Sequence, residues 1–301
     1  MRKDLLSVAD LGPEELERSL DLALRLKSGA SVGSLGGKSL ALLFEKPSLR
    51  TRVSFDLAMY QLGGHAIYLS PEEVGLGRRE PVEDVARVLE RYVDGIAVRT
   101  FSHQVLVGLA EHCAVPVINA LSDLEHPCQA LADTLTIYEK KGRLSGLRLA
   151  FVGDGNNVAT SLLLAASLTG LHFRIAAPPA YALGRDVLDR ARHLCVAGGD
   201  VAVVEDPREA VEGADVVYTD VWTSMGQEME AEERRRAFAA YQVDRDLLSI
   251  AAPDALFMHP LPAHHGEEIA SDMLDAPQSV VFDQAENRLH IQKALLLMLL
   301  S

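Results

Sequence analysis

The sequence predicts an α/β protein of two doubly wound domains, each a mainly parallel sheet flanked by helices, with the active site expected in the cleft between them. Three observations carry this expectation. Short apolar runs alternate with longer amphipathic segments almost throughout, which is the pattern of parallel strands covered by helices on both faces. The alternation breaks once, at Lys140-Lys141-Gly142-Arg143-Leu144-Ser145-Gly146, and then restarts. A length of 301 residues suits two domains of roughly 150 residues each. The expected boundaries are 1–140 for the first domain, with a terminal helix at 286–301 packing back on it, and 141–285 for the second.

In the first half, Ser39–Phe44, His65–Leu69, Gly95–Val98 and Pro116–Asn119 read as buried strands. Thr51–Leu62, Pro81–Tyr92, Gln104–His112 and His126–Glu139 carry apolar residues at helical spacing. In the second half the candidate strands are Arg148–Val152, His172–Ala176, Asp200–Val204, Asp215–Tyr218 and Ala255–Met258. Asn157–Leu168 and Arg185–Val196 are the clearest helices between them, and a last helix runs from about Glu286 to Leu300. That helix is strongly apolar on one side, so it is expected to pack on the body of the protein.

Composition excludes several classes of function. With 48% apolar and 24% charged residues the chain can bury a sizeable core, which argues against disorder. The balance of 29 basic against 43 acidic residues leaves a net charge of −14, so no nucleic-acid partner and no anionic membrane surface is expected. A small anion could still bind at a local basic pocket. Cys113, Cys128 and Cys195 are odd in number and widely spaced, which fits neither a disulfide framework nor a cysteine zinc site. The longest apolar run, Ala294–Leu300, is far short of the ~18 residues that suggest a membrane span. No signal-peptide stretch follows Met1, and a cytoplasmic location is expected.

Six segments carry residue types suited to chemistry. Lys46-Pro47-Ser48-Leu49-Arg50-Thr51-Arg52 lies between a strand and a helix, where free backbone amides and the positive end of the helix dipole suit a phosphate. Ser48 and Thr51 add hydroxyls and Arg50 a charged fork, whereas Arg52, two positions on, is expected to make a supporting ion pair. The alternative is an ordinary capped helix with solvated arginines. His126-Pro127-Cys128-Gln129 again follows a strand, with His126 and Gln129 three apart; the alternative here is a helix-capping histidine. Gly153-Asp154-Gly155-Asn156-Asn157 lacks the third glycine of a dinucleotide fingerprint, since Val158 stands there, and reads as a tight strand-to-helix turn that presents Asn157. Asp220-Val221-Trp222-Thr223-Ser224-Met225-Gly226 could grip an ammonium group, or could be a mobile surface loop. His259-Pro260-Leu261-Pro262, with His264 and His265 nearby, reads as a rigid turn presenting backbone carbonyls rather than as a metal site. Finally, Glu286-Asn287-Arg288 opens the last helix, where Arg288 alone would pass for a surface ion-pair residue.

Taken in order, with Arg99 added, these segments resemble the aspartate/ornithine carbamoyltransferase family, and the resemblance covers nearly the whole chain. It implies that Ser48, Leu49, Arg50 and Thr51 hold the phosphate of carbamoyl phosphate, largely through backbone amides. Arg99, His126 and Gln129 are implied at the carbamoyl end, with Thr51 and Arg99 stabilising the developing oxyanion. Arg288 is implied on the phosphate side, with the Leu261 carbonyl near the attacking or carbamoyl nitrogen. Asn157, Asp220, Ser224 and Met225 are implied to receive L-ornithine, whose δ-amine would take the carbamoyl group to give citrulline. The first domain would then bind carbamoyl phosphate and the second ornithine. No metal and no cofactor is implied, and the expected assembly is a homotrimer or a multiple of one.

The chain departs from the family pattern at four places. Pro260 stands where cysteine is usual, Gly75 opens a Gly75-Leu76-Gly77 segment where Gln-Leu-Gly is common, Leu49 replaces Ser or Thr, and Cys128 replaces Thr. Arg78 and Arg79 occupy the loop in which aspartate-specific relatives carry a lysine. The competing readings are a carbamoyltransferase acting on N-acetylornithine, putrescine or aspartate, and a non-catalytic nucleotide-binding α/β protein. Asp220 favours ornithine over aspartate, because it would repel a second carboxylate.

Overall fold

The computed structural model describes residues 3–76, 80–196 and 198–301. Gly77, Arg78 and Arg79 of the expected loop lie outside the described residues. The chain divides into two compact units, Met1–Leu135 with Glu286–Ser301, and Thr136–Ala285.

The first unit contains α1 (Pro13–Lys27), β1 (Ser39–Phe44), α2 (Leu49–Gln61), β2 (His65–Leu69), α3 (Pro71–Val74), α4 (Val82–Leu89), β3 (Gly95–Arg99), α5 (His103–His112) and β4 (Val117–Leu121). Its four strands are parallel in the order β2-β1-β3-β4. Leu40–Phe44 and Ile96–Val98 are buried on both faces, as parallel strands between helices must be. Helix α1 was not among the expected elements; it starts with proline at its first position and buries Leu16, Leu20 and Ala23 at helical spacing. The chain leaves the unit within α6 (Pro127–Lys141).

The second unit follows with β5 (Arg148–Val152), α7 (Asn157–Thr169), β6 (His172–Ala176), α8 (Arg185–Leu194), β7 (Val201–Val204), α9 (Pro207–Val211), β8 (Val216–Thr219), α10 (Ala231–Phe238), α11 (Arg245–Leu248) and β9 (Leu256–Met258). Its five strands are also parallel, ordered β7-β6-β5-β8-β9. Its core joins Val152, Val217 and Phe257 to an aromatic group of Trp222, Phe238 and Tyr241.

The last helix, α12 (Val281–Leu300), begins at Val281 rather than near Glu286. Gln284 explains the earlier start, because its buried carboxamide accepts the His259 amide at 3.0 Å and donates to the Tyr218 hydroxyl at 3.1 Å. Residues from Glu286 onward belong to the first unit, where Leu300 approaches Gly95 so closely that an added Cβ would sit 2.8 Å from it. Strand order reverses between β1 and β3 in the first unit and between β5 and β8 in the second. The loops leaving the carboxyl ends of those strands are where open α/β sheets bind ligands.

Candidate active site

In the first unit, the loop after β1 ends at Ser48, whose hydroxyl caps α2 by accepting the Thr51 amide at 3.3 Å. The amides of the first turn of α2 have no partner within the helix and carry its positive dipole end. Leu49 is exposed, at 77%. Arg50 is half-buried, and burial lowers its pKa. Arg52 makes no ion pair among the described residues in place of the expected one; its guanidinium lies 3.8 Å from the centroid of the Tyr68 ring, so it stacks on β2.

Arg99 closes β3, and its amide oxygen accepts the Glu45 N–H at 2.7 Å while Thr100 donates to the Glu45 carboxylate. The two switch-point loops are thereby tied together. Burial, and then the guanidinium groups of Arg288 and Arg50, lower the Arg99 pKa to about 10. Arg99 Nε is buried without a hydrogen-bond partner among the described residues. Arg288, buried on α12, donates to the Thr51 hydroxyl at 2.7 Å. A residue that by sequence alone passes for a surface charge is therefore buried against the first turn of α2.

His126 precedes α6, and its carbonyl accepts the Gln129 and Ala130 amides, so it does cap the helix as well as line the site. The loop before it is anchored by Glu125, which accepts the Ser7 hydroxyl at 2.5 Å and the Val8 amide at 3.0 Å. Burial, then Arg288 and Arg99, hold the His126 pKa well below its usual value, so the imidazole is neutral at pH 7. Gln129 donates to Asp133 at 2.8 Å and leaves its Oε1 buried without a partner among the described residues. Cys128, pushed up to about 12 by burial, is not a nucleophile. Ser48, Arg50, Thr51, Arg99, His126, Gln129 and Arg288 all belong to this one unit.

In the second unit, Gly153 has φ 136°, and a Cβ on Gly155 would lie 2.6 Å from the Leu183 amide nitrogen, so both positions need glycine. Asn156 caps α7 by accepting the Val158 and Ala159 amides and donates to Asp220 at 2.8 Å. Sequence reasoning singled out Asn157; the carboxamide bonded to Asp220 is that of Asn156, a residue the preference for asparagine at helix caps could have flagged. Asp220 is buried, and burial raises its pKa. Ser224 donates its amide to Gln227 Oε1 at 3.0 Å, and Met225 is exposed.

Leu261 lies in the same unit with φ 54°, an uncommon conformation for a branched side chain. Its amide donates to His259 Nδ1 at 3.0 Å, which places the imidazole proton on Nε2, donated to buried Glu268 at 3.1 Å. Among the described residues, His264, Glu267 and Glu268 are close enough to share a metal ion. Glu267 accepts from Arg235 at 3.0 Å, and Glu268 accepts from His259 and the His264 amide, both on Oε1, while its Oε2 is buried without a hydrogen-bond partner among the described residues. A cavity of about 470 Å³ opens at the amino ends of the second sheet's strands, lined by Arg148, His172, Arg174 and Asp200. Within it, His172 pairs with Asp200, and Arg174 donates to the Glu209 carbonyl at 2.7 Å.

Two family models match the chain. Residues 3–139 match the carbamoyl-P binding domain, and residues 145–299 the Asp/Orn binding domain, of aspartate/ornithine carbamoyltransferase. An ornithine carbamoyltransferase of Methanoculleus marisnigri is 53% identical over 100% of this chain and 98% of the relative, and one of Acidothermus cellulolyticus is 55% identical over 100% and 97%. The crystal structure of the Pyrococcus furiosus ornithine carbamoyltransferase superposes with a TM-score of 0.94 at 50% identity, covering 99% of this chain and 96% of that one. The anabolic ornithine carbamoyltransferase of Campylobacter jejuni gives 0.95 at 38% identity, covering 99% of each.

Proposed function

The chain belongs to the aspartate/ornithine carbamoyltransferase family, and we propose that it transfers the carbamoyl group of carbamoyl phosphate to the δ-amine of L-ornithine, giving L-citrulline and phosphate for arginine biosynthesis. The observation that carries this reading is the gathering of Arg50, Arg99 and Arg288 around neutral His126 in the first unit. A guanidinium group whose pKa is lowered by burial and by two neighbouring guanidinium groups is relieved by a bound dianion. The first-turn amides at Leu49, Arg50 and Thr51, with the Ser48 hydroxyl, would hold the phosphate. Arg288 would flank it through Thr51.

At the other end of carbamoyl phosphate, Arg99 Nε and Gln129 Oε1 offer one buried donor and one buried acceptor to the carbonyl oxygen and the NH2 group. A neutral δ-amine attacks the carbonyl carbon, the oxygen gains charge, and the C–O bond to phosphate breaks, with the proton shed by the attacking nitrogen passing to the departing phosphate. Arg99, Thr51 and neutral His126 would stabilise that oxygen, while orientation supplies much of the rate. In the second unit, Asp220 would receive the α-ammonium group of ornithine, whose charge offsets the cost of ionising a buried carboxyl. Asn157, Ser224 and Met225 would line the rest, and the strained Leu261 turn would offer its carbonyl to the reacting nitrogen.

The assembly we infer is a homotrimer or a multiple of one, in the cytoplasm. On α2, Leu49, Val53, Leu57 and Tyr60 are exposed at helical spacing, with exposed Ile67 on edge strand β2 of the same unit. An apolar patch of this kind favours a protein partner. The cysteines are free, which suits a reducing compartment. No helix among the described residues is long and apolar enough to cross a membrane. The test of function is phosphate release from carbamoyl phosphate with ornithine, N-acetylornithine, putrescine and aspartate as acceptors. Ornithine is expected to be the fastest, and faster release with any other would overturn the acceptor.

A further inference from the structure

Helix α10 carries the run Glu232-Glu233-Arg234-Arg235-Arg236, which a surface helix would ordinarily hold in water. The side chains of Arg235 and Arg236 are exposed, but that of Arg234 is only 7% exposed. Its Nη1 donates to Asp154 at 3.0 Å and to the Trp222 carbonyl at 2.9 Å. Its Nε donates to Glu230 at 3.1 Å, and the guanidinium lies 4.8 Å from the centroid of the Tyr181 ring. Asp154 follows β5, Tyr181 follows β6 and Trp222 follows β8. A single planar fork thus binds the loops leaving three neighbouring strands of the second sheet, which a lysine ammonium could not do with the same geometry.

The loop held through Trp222 is the one that carries Asp220, Ser224 and Met225, and the turn held through Asp154 leads into Asn157. We propose that Arg234 is a positioning residue for the acceptor amino acid: it fastens the Trp222 loop to the Gly153–Asn157 turn and so sets where Asp220, Ser224 and Met225 stand relative to Asn157. The proposal rests on the assignment of ornithine to these residues. It assigns Arg234 no contact with substrate.

The protein carries its own probe, because Trp222 is its single tryptophan and is buried in a stack on Phe238 with ring centroids 5.8 Å apart. In full-length Arg234→Lys and Arg234→Met, Trp222 emission is expected to shift to the red and to be quenched more readily by acrylamide. The KM for ornithine should rise about 10- to 100-fold while the KM for carbamoyl phosphate stays unchanged, as misplaced binding groups predict. Both KM values rising together, or neither moving in a folded variant, would overturn the proposal, as would unaltered Trp222 emission. Where Arg234→Met fails to fold, Asp154→Asn removes one of the arginine's anchors at nearly constant volume and is read in the same way. A wild-type protein that makes no citrulline would sink the ornithine assignment instead; the emission arm then decides the tether alone, a red shift supporting it and no change refuting it.

Discussion

Arg50, Arg99 and His126 show how the fold tunes side chains that are ordinary in isolation. Burial and neighbouring guanidinium groups lower Arg99 to about 10 and keep His126 neutral, so the site holds positive charge without an imidazolium adding to it. Losing one preorganised donor of this type costs roughly 3–4 kcal/mol in comparable oxyanion sites. Arg50→Ala is therefore expected to lower citrulline formation by about 100- to 1,000-fold with an unchanged circular-dichroism spectrum. Turnover equal to wild type would remove Arg50 from the site. His126 also makes stability depend on pH. Its folded pKa lies below the unfolded value of 6.5, so as pH falls through 6.5 the unfolded chain takes up a proton that the folded chain does not. Stability is lost toward about 1.4 kcal/mol per pH unit below that point. His126→Gln should show a smaller drop in melting temperature between pH 7.5 and 5.5 than wild type; an equal drop would mean that the imidazole is protonated in the fold.

Strand-to-helix turns set the element scale. Ser48, Ser102 and Asn156 cap the helices that follow β1, β3 and β5, and each cap fixes where the first-turn amides point. The turn after β5 has the least room, because a Cβ on Gly155 would meet backbone atoms of Tyr181, Ala182 and Leu183 within 2.8 Å. Gly155→Ala is expected to cost about 1–3 kcal/mol, the usual penalty of overpacking. At about 2–4 °C per kcal/mol for a unit of this size, that is a readily measured fall in melting temperature. An unchanged melting temperature would mean that the Tyr181–Leu183 segment yields freely. Helix α12 makes the complementary point. Its expected start, about Glu286, was placed after Val280–Asp283, whereas the helix starts at Val281 and so takes in Gln284, which bonds His259 and Tyr218. Such a boundary depends on contacts remote in sequence.

For the whole molecule, the net charge of −14 opposes an anionic substrate, so the reading proposed above assigns carbamoyl phosphate to the local cluster of arginines. The exposed stripe on α2 is the other global feature, with Tyr60 75% exposed on the same helix to whose amino end the phosphate is assigned under the proposed function. Leu57→Glu combined with Tyr60→Glu is expected to reduce the sedimenting species from a trimer or larger to a monomer. An unaltered sedimentation coefficient would place the interface elsewhere.

By itself the sequence determined the alternation of strands and helices, because short apolar runs and apolar residues at helical spacing are local properties of the chain. It also determined the ordered motifs at the strand ends, since glycines, caps and charged forks are written in consecutive residues. Only the tertiary structure decided that Arg288 meets Thr51, that Arg52 stacks on Tyr68, that Asn156 grips Asp220, and that Arg234 is buried while Arg235 and Arg236 are not. The physical reason is that a charged side chain reads as solvated until its buried partners are known, and those partners lie up to 237 positions away along the chain.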